Sequence, residues 1–324
     1  MKTKEINPFL FYSKQLQQLF AKAALQKNPA LWLYNNGVRT QLFTLEALTR
    51  LHNRAFDEKV FDKWNKRFKK LEDLFGEIDA NIVFEKEFKE NKNIPVDALK
   101  YFNVNSSEFI QKCNQRLVEK DWLNNKLEAF DSKLQEYKVD YNEDYIDELR
   151  FSMIDEIDAI IDFGLKYNFE FTKLEEHIHE IRRKIRWLSI YAQALQGLIQ
   201  LKVTNKDLKS SINYFTKEVL NSPFNKLPAK PKNAVIIEFD KNSFFALSWL
   251  INELGLLKDS GLKIHVLKNA LYVSEKITEE QAQIKAIKLL GFKQTIESDI
   301  LKQASSLIKT ALLKDKILEN LIIE

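Results

Sequence analysis

A chain of 324 residues is long enough for one large or two small domains and can bury a substantial core. Only 7 Gly and 6 Pro stand against 30% charged and 45% hydrophobic residues, so the turn formers that many short strands need are missing and an all-α protein is expected. The lone Cys113 excludes an internal disulfide, Met1 to Phe11 lacks the apolar run and cleavage site of a signal peptide, and no charge-free apolar stretch approaches the ~18 residues of a bilayer span. These features lead to the expectation of a soluble, cytoplasmic protein without a membrane partner.

Net charge is only +4, but its distribution is uneven. Residues 1–162 carry 25 Lys and Arg against 28 Asp and Glu, and residues 163–324 carry 25 against 18. The halves are therefore at −3 and +7, and any anion-binding surface is expected in the C-terminal half.

In chain order, apolar periodicity predicts helices over Phe9 to Lys27, Trp32 to Phe56 and Glu58 to Glu77, the last with Asp57 as N-cap. Phe61, Trp64, Phe68, Leu71 and Phe75 form the apolar face of the third. Asn91 to Ser107, broken by Pro95, reads as a connection with one short helix at Val96 to Phe102. Helices follow over Glu108 to Tyr137 and Tyr141 to Lys166, and another runs from after Thr172 to about Leu201. Pro223, Pro228 and Pro231 make Asn221 to Asn233 a loop. Ala234 to Phe239 has strand composition, Leu262 to Val273 fits either state, and Glu279 to Leu290 and Ile296 to Ile323 form a final amphipathic pair.

The helix after Thr172 carries the densest chemistry. His179, Arg182, Arg183 and Arg186 fall at i, i+3, i+4 and i+7, which gathers an imidazole and three guanidinium groups on one side. Leu174, Ile178, Ile181, Ile185, Leu188 and Leu195 form the opposite, apolar stripe. Such a row suits an oxyanion polymer, because the planar fork of arginine makes paired hydrogen bonds to phosphate oxygens. A solvated helix face, with Glu175 and Glu176 pairing to His179 and Arg183, is the competing reading. Lys63, Lys66, Arg67 and Lys70 repeat the spacing on the third helix.

An internal repeat is visible as well. Phe68, Leu71, Phe75 and Gly76 share their spacing with Leu247, Leu250, Leu254 and Gly255, read as an apolar helix ending at a glycine C-cap. Upstream of these, Asn36, Arg39 and Phe43 are spaced like His179, Arg182 and Arg186. Two tandem halves, 1–166 and 167–324, are the economical organisation.

On these residues the chain resembles the CHAD family, the conserved histidine α-helical domain. The string from His179 to Leu188 is similar to the family's signature helix, Leu247 to Asp259 to its second recurrent element, and Phe68 to Asp79 to a weaker first copy of that element. The resemblance implies two tandem helical bundles related by a pseudo-two-fold axis, basic side chains lining a central cavity, and binding of inorganic polyphosphate without hydrolysis. It also implies association with polyphosphate granules in the cytoplasm. The first half departs from the pattern, with Asn36 at the histidine position and Phe43 at the second basic position.

Other constellations are thinner. Glu176 and His179 make one E-x-x-H where a di-iron bundle needs two, and Asp155, Asp158 and Asp162 line one helical face as a solvated acidic row or an Mg²⁺ site. No phosphate-cradling glycine loop or nucleophile elbow occurs, so neither an enzyme nor a cofactor is expected. Trp187 and Tyr191 are the only candidates for base stacking, which makes nucleic acid a lesser expectation. The expected function is non-enzymatic binding of polyphosphate or a similar polyanion by His179, Arg182, Arg183 and Arg186, assisted by Arg39 and by the Lys63 to Lys70 row. The alternative is a helical scaffold for a protein partner.

Overall fold

The computed structural model describes residues 7–137, 140–204, 208, 212–293 and 295–323. Among them it holds twelve α-helices: α1 (Pro8–Ala23), α2 (Pro29–Asn35), α3 (Val38–Phe56), α4 (Lys59–Lys89), α5 (Val96–Glu119), α6 (Lys126–Tyr137), α7 (Glu143–Lys166), α8 (Glu180–Ala194), α9 (Lys217–Asn221), α10 (Lys241–Glu275), α11 (Glu279–Leu289) and α12 (Ile296–Lys309). Strands β1 (Ile199–Lys202) and β2 (Ile237–Asp240) pair in parallel, with Ile199 opposite Ile237. The expected all-α class holds, since this ribbon is a minor addition.

Local chemistry explains the helix starts. Asn7 and Asn28 each precede a proline, and their side chains accept hydrogen bonds from Leu10 N and Leu31 N, so α1 and α2 begin with a cap and a preset φ. Asp240 caps α10 through Ser243 N at 2.8 Å, and Thr278 with Gln281 forms a capping box on α11.

Several expected boundaries are corrected. Asn36 and Gly37, the latter at φ 74, break Trp32 to Phe56 into α2 and α3. Asp57 terminates α3 at φ 48 instead of capping α4. Residues 91–107 are mostly helical, because α5 runs unbroken from Val96 to Glu119, and a turn then separates it from α6. Leu262 to Val273 lies inside α10. The basic helix stops at Ala194, where Gln196 and Gly197 take positive φ and lead into β1, and it starts with a π turn over Leu174–His179. Helix α12 ends at Lys309 and gives way to a second π turn, Thr310–Lys314.

Gly76 and Gly255 are not C-caps. Both sit inside long helices, α4 and α10, with no left-handed backbone. The apolar part of the repeat reading holds, since Phe68, Leu71, Phe75, Leu247, Leu250 and Leu254 are all fully buried.

One core cluster runs through both halves of the sequence, joining Leu48 and Phe68 to Ile181 and Leu250, and α8 packs on both α3 and α7. The division at residue 166 thus falls between elements without separating two cores. Four consecutive buried residues, Phe244 to Leu247, mark the start of α10 as central. Further along, the outer ends of the α4–α5 and α10–α11 hairpins meet in a second cluster, where Phe84, Phe88 and Phe102 pack with Ile264, Leu267 and Leu271.

Candidate functional site

Helices α3 and α8 pack against each other, flanked by α4 beside α3 and by α10 beside α8. Each contributes an arginine from its first turn, Arg39 and Arg182, and each arginine lies across the glycine of the repeat. A Cβ added at Gly76 would meet Arg39 Nη2 at 3.4 Å, and one added at Gly255 would meet Arg182 Nη2 at 2.9 Å. The glycines serve close approach of a guanidinium to a helix backbone, a role that spacing alone does not distinguish from a cap.

The surroundings of the two arginines differ. Arg39 donates from Nε and Nη2 to Glu72 Oε1 at 3.0 and 2.7 Å and from Nη1 to Asp79, whose other oxygen accepts from Tyr34 at 2.9 Å. Counting from the glycines, Glu72 corresponds to Ile251 and Asp79 to Lys258. Arg182 accordingly donates from Nε to the backbone oxygen of Ile251 at 3.0 Å, and it makes no ion pair among the described residues. Asp259, which lies 3.5 Å from Lys258, is a carboxylate felt by its charge.

Arg186, one turn on, also makes no ion pair or hydrogen bond among the described residues. Its guanidinium stacks 4.6 Å above the Phe43 ring, where Arg39 is the second cation at 5.6 Å. Phe43, which the spacing marks as a lost cation, is instead the platform of a neighbouring one. Burial lowers the pKa of Arg182 and Arg186, and for Arg186 repulsion from Arg182 acts in the same direction while Glu72 opposes it.

His179 completes the row. Its Nδ1 is buried without a hydrogen-bond partner among the described residues. Burial holds its pKa below the ordinary imidazole value, and the charges of Lys258, Arg182 and Arg183 add to this against Glu175. Arg183 departs from the row: it is exposed and paired with Glu180 at 2.7 Å, as a solvated face requires.

The second predicted row is not part of this seam. Lys63, Lys66 and Lys70 are exposed, Lys66 pairs with Asp62 at 2.7 Å, and Arg67 lies 4.5 Å over the Trp64 ring. Asn36 is exposed at the end of α2, outside α3, and donates to Trp32 O. A surface depression of about 690 Å³ lies elsewhere, against Asn93, Gln281, Lys285 and Lys288.

Sequence reasoning missed the acidic side of the seam. Glu46 of α3 is buried with Oε2 unpartnered among the described residues, and burial, helped by Glu72, pushes its pKa up to about 7. Beyond it, Arg50 reaches Glu156 of α7 at 2.7 Å and Tyr191 of α8 at 3.0 Å, and Tyr191 donates to Glu156 at 2.9 Å. Trp187 and Tyr191, the stacking candidates, are both buried, and Trp187 lies under Arg50 at 5.4 Å. Glu46 and Arg50 share a face of α3, but i, i+4 charges are common on solvated helices and gave no signal of burial.

Chemically, the seam offers two half-buried guanidinium groups, Arg182 and Arg186, without ion-pair partners among the described residues, with the half-buried imidazole of His179 one turn before them and carboxylates at the α3 end. No family model, curated protein or solved structure matches this chain.

Proposed function

We propose that this protein binds a polyanion, with inorganic polyphosphate as the leading ligand, through His179, Arg182 and Arg186, and that it does so without catalysing its breakdown. One observation carries the reading: Arg182 and Arg186 are half-buried and make no ion pair among the described residues, while Arg183 and Arg39 are both paired. A partly desolvated cation without a counter-charge is costly, and an incoming oxyanion recovers that cost. Lys258, whose side chain is 16% exposed and pairs with Asp259 at 3.5 Å, is a further cation acting on His179. The likeness of His179 to Leu188 to the CHAD signature helix supports the same ligand class and a cytoplasmic setting.

A second reading is favoured by the Arg39 cluster. Its two carboxylates turn half of the expected cationic lining into an internal ion-pair network, as a helical scaffold for a protein partner would tolerate.

The two readings part on salt. Binding of fluorescent long-chain polyphosphate to the unmodified protein is expected to weaken with salt at a log–log slope of about −2 to −3, for three or four charges on a single-stranded polyanion. The Arg182→Ala, Arg186→Ala double variant is expected to bind at least about tenfold more weakly at low salt, and Arg183→Ala within about twofold of the unmodified protein. Absence of binding at low salt would put the scaffold first.

A further inference from the structure

The two glycine-backed arginines differ sharply in what surrounds them, and a finer assignment of the anion site, which rests on the polyanion-binding function proposed for the α8 row, comes from that contrast. At Arg39, all three guanidinium nitrogens are engaged by carboxylates supplied by α4. At Arg182, the corresponding positions of α10 hold Ile251, which gives only its backbone oxygen, and Lys258, a cation that pairs with Asp259 at 3.5 Å. The same local frame thus ion-pairs its arginine to two carboxylates in one place and, in the other, leaves Arg182 without an ion pair among the described residues, its neighbouring carboxylate Asp259 being taken by Lys258.

We infer that Glu72 and Asp79 are built-in stand-ins for ligand oxyanions, so that Arg39 is permanently occupied and the anion is taken end-on, by its terminal phosphoryl groups, at His179, Arg182, Arg186 and Lys258. Three observations support a site closed at one side. Glu72 holds Arg39, which shares the Phe43 ring with Arg186, the last cation of the row, so the positive stretch ends against a carboxylate. Glu46 is a second buried carboxyl group acting on Arg186. Phe43 fills the space between Arg186 and Arg39 with an apolar ring, contacting both guanidinium groups from one residue. A polymer drawn along the seam from Arg182 toward Arg39 would bring its phosphates against Glu72 and Asp79, and like charges repel most where water is scarce. A chain end meets no such barrier, and its terminal phosphate carries more negative charge than an internal one.

Stoichiometry separates end-on from side-on binding without any substitution. A linear polyphosphate has two ends, so light scattering or analytical ultracentrifugation with chains of increasing defined length is expected to saturate at two proteins per chain at every length. Tripolyphosphate is expected to compete as well as the long chain when compared per end. A ratio of proteins per chain that grows with length, or undiminished binding to chains whose two ends are blocked as amides, would overturn the inference and leave the polyanion function standing. If neither tripolyphosphate nor the long chain binds, the polyanion function itself falls.

The stand-in role has its own test. Glu72→Gln with Asp79→Asn releases Arg39 while keeping the shapes of both side chains. This variant, checked for retained helicity, is expected to bind long-chain polyphosphate about tenfold more tightly and to exceed two proteins per chain. Unchanged affinity in a folded variant would reject the stand-in role. Should the variant unfold, the length series on the unmodified protein still decides between end-on and side-on binding.

Discussion

At the scale of single residues, a few side chains sit in protonation environments far from those of an open chain. Glu46 is the clearest: buried, unpartnered at Oε2 and close to Glu72, it has its pKa raised from 4.5 to about 7. A carboxyl raised in the folded state contributes stability that is fully present below its unfolded pKa and lost as pH rises toward about 7. The unmodified protein is therefore expected to lose on the order of 1–3 kcal/mol between pH 4.5 and 7 from this group. Urea denaturation of Glu46→Gln across that range checks it, since the amide should flatten this part of the profile while leaving all other titrations in place. His52 has the opposite dependence. Fully buried, with Nδ1 on Leu48 O at 2.7 Å, it has its pKa lowered to about 3 by burial, so its contribution is lost as pH falls below about 6.5.

At the scale of elements, the two glycines make opposite predictions from one geometry. Gly255→Ala would place a methyl group 2.9 Å from Arg182 Nη2, so the arginine must swing away from α10. Gly76→Ala would place one at 3.4 Å from Arg39 Nη2, which a small shift relieves, and alanine is favoured over glycine in a helix interior by about 1 kcal/mol. Thermal denaturation should show Gly76→Ala equal to or up to about 1 kcal/mol more stable than the unmodified chain. Polyphosphate titration should show Gly255→Ala weakened severalfold with helicity retained. The legibility of these elements depends on the quantity that sequence periodicity measures. The buried faces of α4 and α10 were readable from their spacing, because 3.6-residue periodicity reports which side is apolar. The roles of Gly76 and Gly255 were not, because a glycine that ends a helix and one that admits a neighbour have the same local sequence.

At the scale of the molecule, the Arg50–Glu156–Tyr191 network joins α3, α7 and α8 and so ties the N-terminal and C-terminal halves of the chain. Glu156 is almost fully buried, and Arg50 would be left with an uncompensated charge without it. Glu156→Ala is expected to cost roughly 1–3 kcal/mol, read as a lower urea midpoint, since Arg50 is about a third exposed and solvent screens part of its charge. A single cooperative transition is expected throughout, because one core runs through both halves.

By itself the sequence determined the helical class, the buried faces and the cationic row on α8, since each depends on residue type and on spacing along one helix. Only the tertiary structure decided which of these cations are exposed, paired or half-buried. Arg183, Lys63, Lys66 and Lys70 are exposed, Arg67 lies over the Trp64 ring, Arg39 is neutralised by a carboxylate 33 residues away in sequence, and Arg182 and Arg186 make no ion pair among the described residues. The reason is physical: a side chain's charge is a property of its own chemistry, but its neutralisation and desolvation belong to whatever other element packs against it.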